Sequence, residues 1–177
     1  MEKIIYFNND NQTKDYCSGQ IYFDFLDYAF ARTDYFMLVY INYYGKGYTE
    51  RQKHFKDALK KFKVKSRTNP KWPGTLSSAS KNTTYKVIFY RTDLKAKDIL
   101  KEVSKLSDWE RPCLPEDLAF FKGNQCWFYS VGHEKIAAII HATEEDIDFV
   151  DSKGLSSKSK AFTAKDNYFA SYDESLT

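Results

Sequence analysis

The chain predicts an α+β domain. The expected core is a mixed or antiparallel sheet with two main helices on one face, in a ferredoxin-like split βαβ form. An N-terminal helix and a C-terminal hairpin and helix extend it. Three observations lead there. Two strand-then-helix units, 36–63 and 84–106, follow one another, and each is followed by a strand candidate. Apolar residues recur with a period near 2 in some segments and near 3.6 in others, the two signatures of strands and helices. The 177 residues, 42% hydrophobic and 29% charged, suit one globular domain that buries a substantial core without cross-links.

Each element has a local reason. Ile4 to Phe7 is a short apolar run that reads as a strand. Ser18 is placed to cap a helix over 18–32, with Ile21, Tyr22, Phe25, Leu26, Tyr28 and Ala29 on its apolar stripe. Phe36 to Ile41 is continuously apolar, as expected of a central strand covered on both faces. Gly45 and Gly47 make a turn, and Thr49-Glu50-Arg51-Gln52 is a capping box, in which the Thr and Gln side chains each satisfy an orphan backbone N–H. A helix over 49–63 follows, with Phe55, Ala58, Leu59 and Phe62 on one face. An edge strand is expected at 63–68, then a long exposed loop to 84 punctuated by Pro70, Pro73 and Gly74.

Residues 84–91 alternate as a strand, and Thr92 or Asp93 caps a helix whose stripe is Ala96, Ile99, Leu100, Val103 and Leu106. Leu118–Lys122 and Gln125–Val131 form a hairpin around Gly123-Asn124. Ile136–Ile140 is too short to classify by period. Thr143 opens an acidic helix that ends at Gly154, where glycine can take the left-handed conformation. Residues 1–156 are read as the single domain and 157–177 as a C-terminal strap or disordered tail. If the strand at 63–68 is missing, the description reduces to a mixed sheet with two helices on one face.

Charge is distributed unevenly. Residues 46–105 hold seventeen Lys and Arg against five Asp and Glu, a net of +12, while the whole chain is only +3, so the remainder sums to −9. Such polarity acts through its local field and points to an anionic partner. The candidate binding residues are Tyr43, Lys46, Arg51, Lys53, Lys56, Lys60, Lys63, Lys65, Arg67 and Trp72, and Tyr43, Tyr48 and Trp72 are the rings interleaved with the cations. The 18% aromatic content fits both a Tyr- and Phe-packed core and a binding surface.

Other constellations are weaker. His133-Glu134 and His141 lack the HExxH spacing, and eight residues separate the two His, too far for one ion on a helix or a strand. Cys126 reads as a small buried hydrophobe and Cys113 as an exposed thiol without a reliable base beside it. Glu116-Asp117 and Glu144-Glu145-Asp146 are carboxylate clusters, the second explained by the dipole of a helix N-terminus. Gly45-Lys46-Gly47 matches no nucleotide-binding loop. No catalytic residue, metal ligand or cofactor is assigned.

Three widely spaced cysteines indicate a reducing compartment, and no segment reaches the length of a membrane span, so a cytoplasmic protein is expected. The leading functional expectation is a non-enzymatic binding protein of inhibitor, immunity or adaptor type that recognises an acidic macromolecular surface. The alternative is a nucleic-acid-binding module using the basic face of 46–71. The third is a small enzyme with a site near His133 and Glu134.

Overall fold

The computed structural model describes residues 3–7, 16–75 and 80–163. The elements are β1 (Lys3–Phe7), α1 (Gln20–Arg32), β2 (Tyr35–Asn42), α2 (Glu50–Ala58), β3 (Lys63–Thr68), β4 (Thr84–Arg91), α3 (Leu94–Leu100), β5 (Glu116–Lys122), β6 (Gln125–Val131), β7 (Ile136–Ile139), α4 (Glu144–Ser152) and β8 (Ser156–Thr163). Eight strands form one sheet in the order β3-β4-β2-β5-β6-β7-β1-β8, and every adjacent pair is antiparallel. The protein is therefore a mixed α+β fold with an antiparallel sheet. The tail boundary at 156/157 falls at the start of β8, and residues 164–177 lie outside the described part.

Strand β2 sits between β4 and β5, and its six central residues are buried. Strand alternation divides them between two cores. Phe36, Leu38 and Tyr40 join a cluster that includes Tyr22, Phe25 and Leu26 of α1, Phe55 of α2, Leu100 of α3 and Val150 of α4. Met37, Val39 and Ile41 join a second cluster with Val87 and Phe89 of β4, Tyr129 of β6 and Trp72. The aromatic surplus is consumed mainly in the first. Phe25 lies 4.6 Å from Phe128, centroid to centroid, and Phe36 stacks on Tyr90 at 5.1 Å.

Several local readings hold. The Thr49/Gln52 capping box is formed, as is one at Thr143/Asp146. Asp93 caps α3, and its side chain accepts from the Lys95 N–H at 2.8 Å. Gly154, at φ 64°, closes the last helix. Strand β3 lies at one end of the sheet, the edge position expected for it.

Others are corrected. Ser18 does not cap α1. Gly19 stands at the N-cap without a side-chain bond, and Ser18 bridges to Lys105 instead. The α-helix expected over 49–63 stops at Ala58, and a 3-10 turn over Lys60–Phe62 leads directly into β3. The last three residues are needed to bury Phe62 and turn the chain into the sheet. Helix α3 likewise ends at Leu100, so Val103 and Leu106 are buried by a following loop, which the Leu106 N–H anchors to the Cys17 carbonyl at 2.9 Å.

The loop after β3 is not uniformly exposed. Trp72, Pro73 and Gly74 are buried. The indole Nε1 of Trp72 donates to Asp117 Oδ2 of β5 at 2.7 Å, and the Trp72 ring sits 5.5 Å from Tyr85. Gly74, at φ 85°, lies so close to β6 that a Cβ there would sit 2.7 Å from Tyr129 Cδ2. The loop therefore crosses the second core from the β3 edge to β6.

Candidate functional site

Nine of the ten sequence-derived binding residues fall into three places, and Lys46 stands apart in the turn before α2. Their positions follow from strand register and from the side of α2 on which each residue lies.

Helix α2 is amphipathic. Gln52, Phe55 and the C-cap Leu59 are buried, which leaves Arg51, Lys53 and Lys60 on the solvent side and Lys56 half-buried. Lys53 pairs with Glu50 at 2.8 Å, and the Arg51 guanidinium lies 5.8 Å from the Phe55 ring centroid. Strand β4 presents Lys86, Ile88 and Tyr90 on the side where Tyr40 lies, because Lys86 pairs with Tyr40 in the ladder and alternation places 88 and 90 on the same side. Lys63 is opposite Tyr90 in the β3–β4 ladder and so faces that side too.

The outcome is a cleft of about 240 Å³ lined by Lys56, Asp57, Lys60, Lys63, Ile88 and Tyr90. Its floor is firm. Tyr90 donates its hydroxyl proton to the Tyr40 hydroxyl at 2.9 Å, and both phenols are buried. Burial pushes both phenols above their usual range, so they stay neutral. The Lys56 ammonium lies 4.6 Å from the Tyr48 ring centroid. Burial lowers the Lys56 pKa, with Lys86 and Lys63 adding repulsion and Asp57 opposing them. Lys56, Lys60, Lys63 and Lys86 form no ion pair among the described residues.

Several other cations of the chain are paired, whereas Lys61, Lys71 and Lys95 resemble the cleft lysines in having no ion pair among the described residues. Lys97 of α3 and the C-cap Lys101 are held by Asp27 of α1 at 2.6 and 2.9 Å. Lys153 pairs with Asp24 at 2.6 Å, and Lys3 and Arg32 pair with Glu144 and Glu145. His54 contacts Glu102 at 2.7 Å. Asp27 thus engages Lys97 and Lys101 of the basic segment, while no ion pair among the described residues covers the cleft lysines.

The second place is the opposite side of the sheet. Lys65 and Arg67 are opposite Phe89 and Val87 in the ladder, both members of the second core. The Arg67 guanidinium lies 5.4 Å from the Phe89 ring centroid, and burial lowers its pKa. A register shift between Lys63 and Lys65 separates them from the cleft lysines.

The third place collects the aromatic candidates around two carboxylates. Tyr43 accepts a hydrogen bond from Arg111 Nη1, and Arg111 Nε lies 3.4 Å from Glu116 Oε1. Trp72 is bound to Asp117. Asp117 occupies a bulge where β5 loses register with β2, at φ 57°. That conformation turns its carboxylate inward. Oδ1 accepts from the Gly132 N–H at 3.0 Å, and Oδ2 from Trp72 and from Thr75 Oγ1 at 3.5 Å. Its side chain is buried, and burial together with the neighbouring Glu116 pushes its pKa up to about 7 against the three donors. Burial also raises Glu116, with Arg111 and His133 opposing. Trp72 is therefore a structural partner of the buried Asp117 and offers no free ring face for stacking, while Tyr43 is engaged by the exposed Arg111. Glu116-Asp117 was visible as a carboxylate pair, but its tether to Trp72 spans 45 residues and leaves no local pattern.

Lys46 is exposed in the turn that holds Gly45 and Gly47 at φ 70° and 86°, and Asn42 Oδ1 accepts from the Gly47 N–H at 2.8 Å. His133 and Glu134 lie 3.6 Å apart beside an open depression that Lys135 and Ile136 complete. Cys113 is exposed, while Cys17 and Cys126 are buried. No group of three or more His, Cys, Asp and Glu able to hold a metal ion occurs among the described residues, and none of their helices is long and apolar enough to cross a membrane.

No protein-family model, curated protein or solved structure matches this chain.

Proposed function

We propose that this is a non-enzymatic binding protein, of inhibitor, immunity or adaptor type, that docks on an acidic surface of a protein partner. The observation that carries the reading is the convergence of Lys56, Lys60 and Lys63 on one cleft, without ion pairs among the described residues, beside Lys86. Four like charges kept together are unfavourable for the isolated chain, and a complementary partner relieves that repulsion and steers encounter. The exposed Arg51, Lys53 and Lys46 extend the positive field around the cleft. A protein partner is favoured over nucleic acid because Trp72, the indole among the candidates, is buried on Asp117 rather than displayed beside the lysines. Base-stacking platforms on such a face would need exposed rings.

A ferredoxin-like arrangement is part of the proposal. The order β3-β4-β2-β5, with α2 and α3 as the two helical connections, supports a split βαβ core with both helices on one face. A reducing, cytoplasmic setting is supported by three free thiols.

The test compares wild-type protein with Lys56→Glu/Lys60→Glu/Lys63→Glu as bait in extract of its own host. The expected result is an acidic protein retained by the wild type, lost with the triple variant, and rebound when both components are purified. Equal recovery by both baits, or salt-sensitive binding of labelled oligonucleotides with no protein retained, overturns the reading.

A further inference from the structure

We propose that the cleft between α2, β3 and β4 is a receptor for one phosphorylated side chain of the acidic partner. This rests on the reading of that face as an anion-recognising surface, and it assigns the face a specific central ligand.

Size sets the first limit. At about 240 Å³ the cleft lies below the roughly 300–1,000 Å³ of pockets for drug-sized ligands and cofactors, and suits a single side-chain group. Charge sets the second. Lys56, Lys60 and Lys63 against Asp57 give the lining a net of +2, and Lys86 stands close enough to depress Lys56. A carboxylate supplies one negative charge and would leave the lining uncompensated. A phosphoryl group carries about −1.5 to −2 at neutral pH and three strong acceptor oxygens, one for each lining ammonium. Geometry sets the third. All the cations of the lining are lysines, point charges on flexible stems that come from α2, the 3-10 turn after it and β3, and they can close around a tetrahedral anion. They bind a phosphoryl group as point charges without a fixed planar geometry. Finally, the site is placed on a rigid base. The Tyr90–Tyr40 hydrogen bond fixes the floor, and both phenols remain neutral and do not repel an anion.

Asp57 has a role in the same arrangement. Its carboxylate is exposed and raises Lys56 against the depressing effects around it.

The test is a titration of the full chain with three probes: a short phosphoserine peptide, the same peptide with glutamate in place of phosphoserine, and inorganic phosphate. Lysine side-chain NMR signals and calorimetry give the readout. The expected result is phosphopeptide-specific shifts at Lys56, Lys60 and Lys63, with the glutamate peptide and free phosphate each weaker by roughly tenfold. Lys60→Ala and Lys63→Ala, both at exposed positions, should each weaken the phosphopeptide by roughly five- to tenfold, the scale of one charge-assisted contact. Equal affinity for the phosphoserine and glutamate peptides overturns the inference but leaves acidic-surface docking intact. Free phosphate binding as tightly as the phosphopeptide assigns the cleft to the ion alone and also overturns it. No shift at the lysines with any probe, together with unchanged partner recovery by the charge-reversed bait, removes both readings.

Discussion

Asp117→Asn should flatten the dependence of stability on pH between 5 and 8. In the folded protein the Asp117 carboxyl is buried, and its pKa stands at about 7 against an ordinary 3.8. A carboxyl with a raised folded pKa binds its proton more tightly in the native than in the unfolded state. Its contribution is therefore fully present below the unfolded value and is lost as pH rises through the folded value. At pH 5 the native form is protonated and the unfolded form is almost fully ionised, which favours folding by about 2–3 kcal/mol; by pH 8 this has fallen nearly to zero. For a chain of this size the loss corresponds to a Tm lower by roughly 5–10 °C at pH 8 than at pH 5 from this group alone.

Asparagine cannot titrate. It also cannot accept from both Trp72 Nε1 and the Gly132 N–H with two oxygens, so the variant should be less stable at every pH. The informative quantity is the slope. Thermal melts of both proteins at half-unit pH steps, at constant ionic strength, should converge as pH rises. Glu116 also has a raised pKa and contributes a slope of the same sign in both proteins; because it is coupled to Asp117, the difference between the profiles reports the pair. Parallel profiles for the two proteins from pH 5 to 8 would refute the assignment of Asp117 as a buried titrating group.

Three further outcomes follow from the geometry. Lys63→Ala should raise stability at low salt by a few tenths of a kcal/mol, because it removes like-charge repulsion from the cleft, and the gain should fade in high salt; a loss of stability at low salt would contradict unrelieved repulsion there. Gly132→Ala should cost about 1–3 kcal/mol in urea denaturation, since its Cβ would lie 2.3 Å from the Trp109 carbonyl oxygen, and an unchanged midpoint would show that the contact relaxes freely. Thr49→Ala should cost about 1 kcal/mol by the same assay, because the Thr49 hydroxyl both caps α2 and donates to the Cys113 carbonyl at 3.0 Å, while Thr49→Ser should be nearly silent.

The comparison of residues with their final places separates local from distant information. Residues 84–91 were legible as β4 to the residue because strand alternation is a short-range signal. The Thr49–Gln52 and Gly123-Asn124 motifs were legible because they satisfy backbone groups within four residues. The end of α2 was missed because its last turn is set by burying Phe62 and entering the sheet, which no helical period encodes. Trp72 was read as displayed because proline and glycine around it mark a loop. Only the fold brings Asp117, with its positive φ, beneath it.

For the candidate site, composition alone carried the charge: the net of +12 over residues 46–105 is independent of any fold. Which of those charges remain available was a tertiary outcome. Lys97 and Lys101 are covered by Asp27, some seventy residues away in sequence, and Lys65 and Arg67 are turned to the other side of the sheet by one register shift in β3. Lys56, Lys60, Lys63 and Lys86 come together because α2 packs beside β4 and residues directly paired in the β2–β4 and β3–β4 ladders face the same side of the sheet. Side-chain chemistry and local hydrogen bonding are properties of neighbours along the chain. Screening, burial and convergence depend on distances through space, and those exist only once the sheet has closed.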